Sequence, residues 1–355
     1  MSRRAPIAAV LLPHGRCSPG CPFCPTAGRI LPPVPGPEAV REAVQRTRAR
    51  RGDRPVELAF YGGDLWALPR GPRTALLDAA EAQVRTGRAA SIRLALTPES
   101  VLRAPLTEFR ARGVRTIEVG VWSMARAPLE ALGARRPPRA GTEALGRLNR
   151  ARLRAIGVLM PGLPGSSHRT ALASVDAVLR ARPGGVRLLP ALALGGTALG
   201  DAFVQERWVP MDRREAVTTC KEMLRRVRAA HVPVLRVGLQ PDQDLWEAPP
   251  VLAGPYVGDL RMIVESELLR AEAFRALTSA WSFGTRAVTF VVCPREESWL
   301  RGPENATIRQ LQERFRLADV RILPVAEQPP GRVRVLRGLV DLDAVPRLPR
   351  ARKAS

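Results

Sequence analysis

The sequence has few lysines, few cysteines and no long apolar run, and each shortage excludes a class of protein. No apolar run approaches the roughly 18–20 residues that a membrane helix needs, so a membrane protein is not expected. The apolar stretch Ile7–Leu12 is too short for a signal peptide and runs directly into Pro13-His14-Gly15. Five cysteines, three of them within eight residues, do not form a disulfide framework. We therefore expect a cytoplasmic protein in which the clustered cysteines form a metal site.

The basic residues are almost all arginine. Only Lys221 and Lys353 are lysines among the 56 basic residues, and the net charge is +23. A GC-rich coding sequence explains the preference for arginine but not the excess of positive charge. Such an excess attracts polyanions in a salt-dependent way, so it favours an anionic partner, of which nucleic acid is one candidate. A solvated arginine-rich surface is the alternative.

The first 240 residues alternate between short apolar runs and amphipathic helical stretches. This alternation is typical of a parallel sheet with helical crossovers. Six or more such units predict a full or partial (β/α) barrel, with its chemistry at the carboxyl ends of the strands. The predicted strands are Ile7–Leu12, Val56–Tyr61, Ser91–Leu96, Val114–Val121, Ala155–Met160, Gly185–Pro190 and Val232–Val237.

A second, smaller region is predicted after a loop rich in Pro, Asp and Gln at Gln240–Gly254. A helix is expected over Val257–Thr278, and a small β–α–β–β unit with a basic tail follows it. The predicted fold class is therefore α/β, with a partial barrel over residues 1–280 and a small C-terminal α/β appendage over residues 281–355.

Three cysteines follow the first strand in the spacing CxxxCxxC, at Cys17, Cys21 and Cys24. Three soft ligands this close together can hold three irons of a 4Fe–4S cluster and leave the fourth open. S-adenosyl-L-methionine (SAM) can chelate the open iron, and Phe23 is placed to pack against its adenine. The alternatives are a zinc site with a distant fourth ligand such as His14, and cysteines that are simply buried; zinc motifs favour paired CxxC spacings, and Cys220 and Cys293 stand alone.

The second strand ends in Phe60-Tyr61-Gly62-Gly63-Asp64. The two glycines let the backbone approach a ligand closely, and the Asp64 carboxylate could meet the ammonium group of SAM. An ordinary turn is the alternative for this motif.

These motifs together resemble the radical SAM domain of the elongator catalytic-subunit family. The matching stretches occur in the same order over about the first 270 residues. They are Leu12–Cys17 with the cysteine loop, Phe60–Gly63, Thr116–Val121, Met160–Gly165, Val234–Pro241, Gly254–Tyr256 and Val264–Glu267. The resemblance implies a partial barrel of the radical SAM type, a SAM-bound 4Fe–4S cluster, an electron donor such as flavodoxin or ferredoxin, and action on tRNA or other RNA.

By position in the motifs, the resemblance implies that Thr97 and Glu118 contact the ribose or carboxylate of SAM. Thr97 precedes Pro98-Glu99, so a helix N-cap is the alternative. Glu118 lies in an apolar strand, where a buried carboxylate needs a partner.

The sequence departs from the family on the substrate side of the pocket. Trp122 stands where the family tends to have glutamine, and histidines expected near Arg139–Thr142 and after Tyr256 are missing. About 75 residues follow the barrel, half of a typical domain, so the family's acetyl-CoA-dependent reaction is not implied.

Two further features concern nucleic acid. Gly302-Pro-Glu-Asn305 resembles the GxxG loop of KH domains, which clamps a nucleic-acid backbone, although its second glycine is replaced. A plain α/β appendage is the alternative. Arginine-rich stretches at Arg110–Arg115 and Arg135–Arg139 could follow a phosphate backbone or be solvated helix ends.

The leading hypothesis is a radical SAM enzyme whose substrate is RNA. The alternatives are a catalytically degenerate barrel that acts as an RNA-binding or scaffold protein, and a zinc-dependent enzyme.

Overall fold

The computed structural model describes residues 5–13, 33–52, 54–134, 136–239, 250–280 and 285–341. Its contacts divide the chain into two compact units, Met1–Gly258 and Asp259–Ser355. In the part described, no helix is long and apolar enough to cross a membrane.

A seven-stranded, all-parallel sheet forms the centre of the first unit, and it is the partial barrel that the alternation of strands and helices predicts. No pairing joins the two edge strands within the described residues. In spatial order the strands are β1 (Ile7–Leu12), β2 (Val56–Gly62), β3 (Ala89–Leu96), β4 (Val114–Trp122), β5 (Arg154–Leu159), β6 (Gly185–Leu188) and β8 (Val234–Val237).

Helices connect successive strands and cover the outer face of the sheet. Gly157 in β5 shows the contact, because a Cβ there would lie 2.8 Å from the Val178 side chain of the helix that follows. The helices are α1 (Pro37–Arg51), α2 (Arg70–Arg85), α3 (Pro98–Arg103), α4 (Leu106–Ala111), α5 (Arg126–Ala131), α6 (Arg139–Arg150), α7 (His168–Arg180), α8 (Ala198–Val204) and α9 (Arg213–Ala229).

The two faces of the sheet differ in chemistry. The outer face is apolar and buried, with residues such as Leu58, Ile117 and Val186. Because side chains alternate along a strand, the neighbouring residues point to the inner face, which is the lumen of the barrel. Several of these are charged, including Arg93 and Glu118. The lumen is therefore polar.

Two short strands lie outside this sheet. Strand β7 (Ala193–Leu194) pairs antiparallel with β9 (Val251–Ala253). Near them, an apolar cluster extends along the carboxyl end of β5 and the chain after β6. Its buried members include Val158, Leu163 and Leu189.

The second unit is the small α/β appendage. Strand β10 (Ala287–Val292) pairs in parallel with β11 (Asp319–Pro324) and antiparallel with β12 (Arg334–Arg337). Helices α10 (Leu260–Ala280), α11 (Glu297–Arg301) and α12 (Ala306–Phe315) complete it. Residue Gly302 and its neighbours Glu304 and Asn305 are left-handed and form the turn between α11 and α12.

The division after Gly258 lies earlier than the boundary expected after residue 280. Helix α10 accounts for the difference, since its buried residues Leu269, Ala273 and Leu277 pack in one core with Phe290 and Leu311 of the second unit. The change in composition along the sequence identifies the loop before α10, but it does not show that α10 packs in the core of the second unit.

Candidate functional site

The described residues of the predicted site lie at the carboxyl ends of β2 and β3 and in the middle of β4. The predicted cluster ligands Cys17, Cys21 and Cys24, together with Phe23 and His14, lie outside the described residues. The structure describes the other predicted site residues, which are Gly62, Gly63, Asp64, Thr97 and Glu118.

Two glycines hold the end of β2 against the end of β1. Gly62 has a φ of +87°, and a Cβ there would lie 2.4 Å from the carbonyl oxygen of Leu12. The Gly63 N–H donates to the same carbonyl over 3.1 Å, and a Cβ on Gly63 would lie 2.5 Å from the Pro13 oxygen. Only glycine permits this approach. The turn therefore fixes the residues from which the cysteine loop departs.

Asp64 and Thr97 are brought together at the ends of β2 and β3. The Asp64 carboxylate is buried; its Oδ2 accepts hydrogen bonds from the Thr97 N–H and hydroxyl, both 2.8 Å long. Its Oδ1 accepts from the Trp66 N–H over 2.9 Å. Thr97 also accepts from the Ser100 N–H as the N-cap of α3. This pair braces two neighbouring strand ends, and contact of either residue with SAM stays a prediction.

Glu118 is the centre of a charged network in the lumen. Its Oε1 accepts from Arg93 Nη1 over 2.7 Å and from the Tyr61 hydroxyl over 3.2 Å, and its Oε2 accepts from Arg187 Nη1 over 2.7 Å. Arg93 also donates to Glu57 over 2.6 Å. The partner that a buried carboxylate in an apolar strand needs is therefore a pair of arginines and a tyrosine.

Burial and charge act in opposite directions on Glu118. Burial alone would raise the pKa of its carboxyl, but Arg187 and Arg93 outweigh burial and hold the pKa below its ordinary value. Glu118 is therefore ionised at neutral pH. The pKa of Tyr61 is raised, first by burial and then by the charge of Glu118, so its hydroxyl keeps its proton.

Trp122 ends β4 in an unusual conformation. Its φ is +61°, and the pairing of β4 with β5 shifts register between Gly120 and Trp122. A Cβ on Gly120 would lie 2.7 Å from Cζ2 of the Trp122 ring. The indole therefore covers the inner face of β4 at its carboxyl end.

Four residues of the lumen network, and an arginine that links the segment before α6 to β4, were not predicted from the sequence. Glu57, Tyr61, Arg93 and Arg187 each interrupt a strand as a polar residue among apolar ones, which is the signal that singled out Glu118. Arg136 is nearly buried, pairs with Glu99 over 3.2 Å and donates to the carbonyl of Gly120 over 2.9 Å. It ties the segment before α6 to the end of β4.

The described cysteines do not extend the metal site. Cys220 is fully buried in α9, and burial raises the pKa of its thiol to about 12, so it stays protonated. Among the described residues, no group of three or more His, Cys, Asp or Glu side chains is placed to hold a metal ion. The zinc alternative therefore gains no ligand set in this part of the chain.

Comparisons with known proteins agree with this architecture. Residues 183–270 match the family model of the radical SAM C-terminal domain. The structure of Elp3 from the archaeon Methanocaldococcus infernus, lacking its residues 1–46, superposes with a TM-score of 0.57 at 15% identity. This match covers 76% of the chain and 64% of the Elp3 chain, so less than two thirds of that relative is represented.

Further solved structures are more distant. Coproporphyrinogen III oxidase (HemN) from Escherichia coli, described as a radical SAM enzyme, gives a TM-score of 0.45 at 16% identity, over 64% of this chain and 53% of that one. SuiB from Streptococcus suis bound to S-adenosylmethionine also gives 0.45, at 12% identity, over 67% of this chain and 51% of that one. No curated protein sequence matches the chain.

Proposed function

Since this chain has the fold of the radical SAM superfamily, we infer that it is a radical SAM enzyme that uses a 4Fe–4S cluster held by Cys17, Cys21 and Cys24. The observation that carries the proposal is the turn at Gly62–Gly63. It holds the end of β1, after which the three cysteines follow in the sequence, against the end of β2, at the edge of the sheet where barrel enzymes place their chemistry.

The residues around this turn fit the proposed cofactors. Gly62 and Gly63 pack directly on the backbone of Leu12 and Pro13, so the end of β1 is held in place where the chain continues towards the three cysteines. When bound, the reduced cluster would supply the electron that cleaves SAM to methionine and a 5′-deoxyadenosyl radical. Phe23 would pack against the adenine, and Asp64 and Thr97 would set the two strand ends that border it.

Glu118 would act through its neighbours. Both of its carboxylate oxygens already accept hydrogen bonds from Arg93, Tyr61 and Arg187. These bonds favour a positioning role, in which Glu118 orients Tyr61 and Arg187 in the lumen and direct contact with SAM is secondary. The Tyr61 hydroxyl keeps its proton and donates it to Glu118, so towards a ligand in the lumen its oxygen can act as a hydrogen-bond acceptor.

Anaerobic reconstitution with iron and sulfide tests the proposal. The protein should bind about four irons and, once reduced, convert SAM to 5′-deoxyadenosine. Alanine at Cys17, Cys21 or Cys24 should abolish both, whereas Cys293→Ser in the second unit should change neither. A colourless protein that carries only zinc after reconstitution would contradict the proposal.

We propose RNA as the substrate class and a flavodoxin or ferredoxin as the electron donor. The net charge of +23 supports a polyanionic substrate, and one structure with a similar fold is an Elp3. A tRNA is the RNA that the sequence resemblance implies.

A second candidate is an RNA-binding protein on a barrel that no longer cleaves SAM. Trp122 favours it, because its ring covers the inner face of β4 at the carboxyl end of that strand. Salt-sensitive RNA binding without any 5′-deoxyadenosine from the reconstituted protein would select this candidate.

A further inference from the structure

The amino ends of the strands form a continuous edge opposite the candidate site. The helix-to-strand connections before β2, β3, β4, β5 and β6 meet there, since each helix returns the chain to the start of the next strand. Backbone hydrogen bonds tie neighbouring connections together: Val56 N–H to the Arg88 carbonyl over 3.2 Å, and Gly184 N–H to the Ala155 carbonyl over 2.7 Å. The five connections therefore form one surface.

Each of these five connections presents an exposed arginine. In the part of the chain that the structure describes, none of the five side chains is in an ion pair; Arg115 also donates to the Arg110 carbonyl over 2.6 Å. We call this surface the arginine face, and it consists of Arg54, Arg88, Arg115, Arg152 and Arg182.

Helix dipoles do not account for the arginine face. A cation in the last turn of a helix is stabilised by the dipole, but this effect falls off within that turn. Arg54 and Arg88 each stand three residues beyond the end of their helix, and Arg115 is already in β4. The last turns have their own arginines, such as Arg85 in α2 and Arg180 in α7.

Two of the arginines occupy positions where glycine would be favoured. Arg152 and Arg182 have φ values of +55° and +52°. Two neighbouring connections have glycine in the left-handed conformation, Gly52 and Gly87, and glycine adopts it without steric cost. An arginine in this conformation is unfavourable for the backbone, as are Glu206 and His231 at the same place after α8 and α9, so a glycine would be tolerated at Arg152 and Arg182.

The chemistry of the arginine face fits phosphate. A guanidinium pairs with phosphate through two parallel hydrogen bonds. The exposed residues of these connections include no aromatic or large aliphatic side chain in the part described, such as a protein interface or a stacked base would need. Of the net charge of +23, +18 belongs to the first unit, which has 39 basic and 21 acidic residues.

We propose that the arginine face binds RNA through its phosphate backbone, without reading the base sequence. This inference rests on RNA being the substrate class proposed above. The nine residues of β4 correspond to about 30 Å of extended strand, so the bound RNA must reach from one end of the barrel to the other. A short oligonucleotide in the lumen will not reach the arginine face, whereas a tRNA-sized molecule can contact both ends of the barrel.

A pair of triple variants tests the location. The first is Arg88→Gln, Arg152→Gly and Arg182→Gly, in which both glycines also relieve a left-handed backbone. The matched control is Arg70→Gln, Arg169→Gln and Arg213→Gln, which removes three exposed arginines from the first turns of α2, α7 and α9, at the opposite end of the strands.

Fluorescence anisotropy with a labelled tRNA transcript, measured at several salt concentrations, gives the readout. The first variant should bind at least about tenfold more weakly, and the slope of log K against log salt should fall by about two to three. The control should lose less than about threefold. Equal losses in both variants, or no loss in the first, would overturn the proposal, as would polyglutamate competing as well as RNA does.

SAM cleavage without RNA separates this inference from the proposed function. The first variant should convert SAM at the wild-type rate, since its substitutions lie at the far end of the strands. If the wild-type protein fails to cleave SAM but binds RNA on the arginine face, only the enzymatic proposal is contradicted. If SAM cleavage is normal and the first variant binds RNA as tightly as the wild type, only the RNA-binding role of the arginine face is contradicted.

Discussion

The carboxylate of Glu118 accepts three hydrogen bonds inside the barrel, and the two arginines that donate to it are themselves mostly buried. Replacing Glu118 with glutamine removes the carboxylate charge that faces Arg187 and leaves Arg93 with the charge of Glu57 instead of two carboxylates. Removing one partner of a buried ion pair typically costs about 3–5 kcal/mol. We expect urea denaturation, followed by tryptophan fluorescence, to show a loss of this size in the Glu118→Gln variant.

The exposed pair of Glu130 and Arg126 provides the control, because both side chains are more than half exposed. Glu130→Gln should change the free energy of unfolding by less than about 1 kcal/mol. An equal effect of the two substitutions would show that Glu118 is not held by its arginines.

Glu118 should also make the stability of the protein depend on pH. Because the pKa of Glu118 is lower in the folded state than its ordinary value of 4.5, its contribution to stability is complete above that value. The contribution is lost as the pH falls through the depressed folded pKa. Stability of the wild type should therefore fall more steeply below about pH 4.5 than that of Glu118→Gln.

At the scale of elements, the turn between β2 and the first helical residues depends on Gly62. An alanine there costs about 1–2 kcal/mol for the left-handed backbone, and its methyl would lie 2.4 Å from the Leu12 oxygen. We expect Gly62→Ala to displace the end of β1 and to lower both the melting temperature and the iron content after reconstitution.

Gly71 is the matched control for this substitution. It lies in α2, and no atom lies within 4 Å of a Cβ built there. Gly71→Ala should raise stability by about 0.5–1 kcal/mol and leave the iron content unchanged. An iron content that falls equally in both variants would remove the link between the turn and the cysteine loop.

Elements were easier to predict than the contacts between them. Short, mostly apolar runs that alternate with helical stretches identified all seven sheet strands, even where a charged residue such as Glu118 interrupts the run. Short helices such as α5 and α8 have too few residues for a periodic signal.

The lumen network could not be assembled from the sequence, although each charged residue stood out within its strand. Which of them meet depends on the register of four strands, and Arg93 pairs across the sheet with Thr116 only because β3 and β4 shift register. Arg136 depends on a loop that returns to β4. Such contacts follow from tertiary geometry and have no local pattern.

At the scale of the whole molecule, the charge that pointed to RNA is unevenly distributed. Of the two arginine-rich stretches noted in the sequence, Arg110–Arg115 lies at the amino ends of the strands. The described part of Arg135–Arg139 lies at their carboxyl ends. Composition alone could not show which of the two stretches belongs to a binding surface and which consists of solvated helix ends. That distinction depends on the end of the strands at which each stretch lies.

The substrate proposal is tested on cells that lack the protein. Mass spectrometry of their tRNA nucleosides should show the loss of one modified nucleoside, or accumulation of its precursor, relative to the parent strain. Restoring the wild-type chain should restore the nucleoside, whereas a chain with Cys17→Ala should not. An unchanged nucleoside profile would move the search to small molecules.

The open edge between β1 and β8 has a consequence for substrates that are polymers. In the described part of the chain these two strands do not pair, so the barrel has a lateral seam. A closed ring admits a chain only by threading from an end, but a seam admits a folded polymer sideways. At the level of the strands, an internal nucleotide of an intact RNA can reach the lumen as readily as a terminal one.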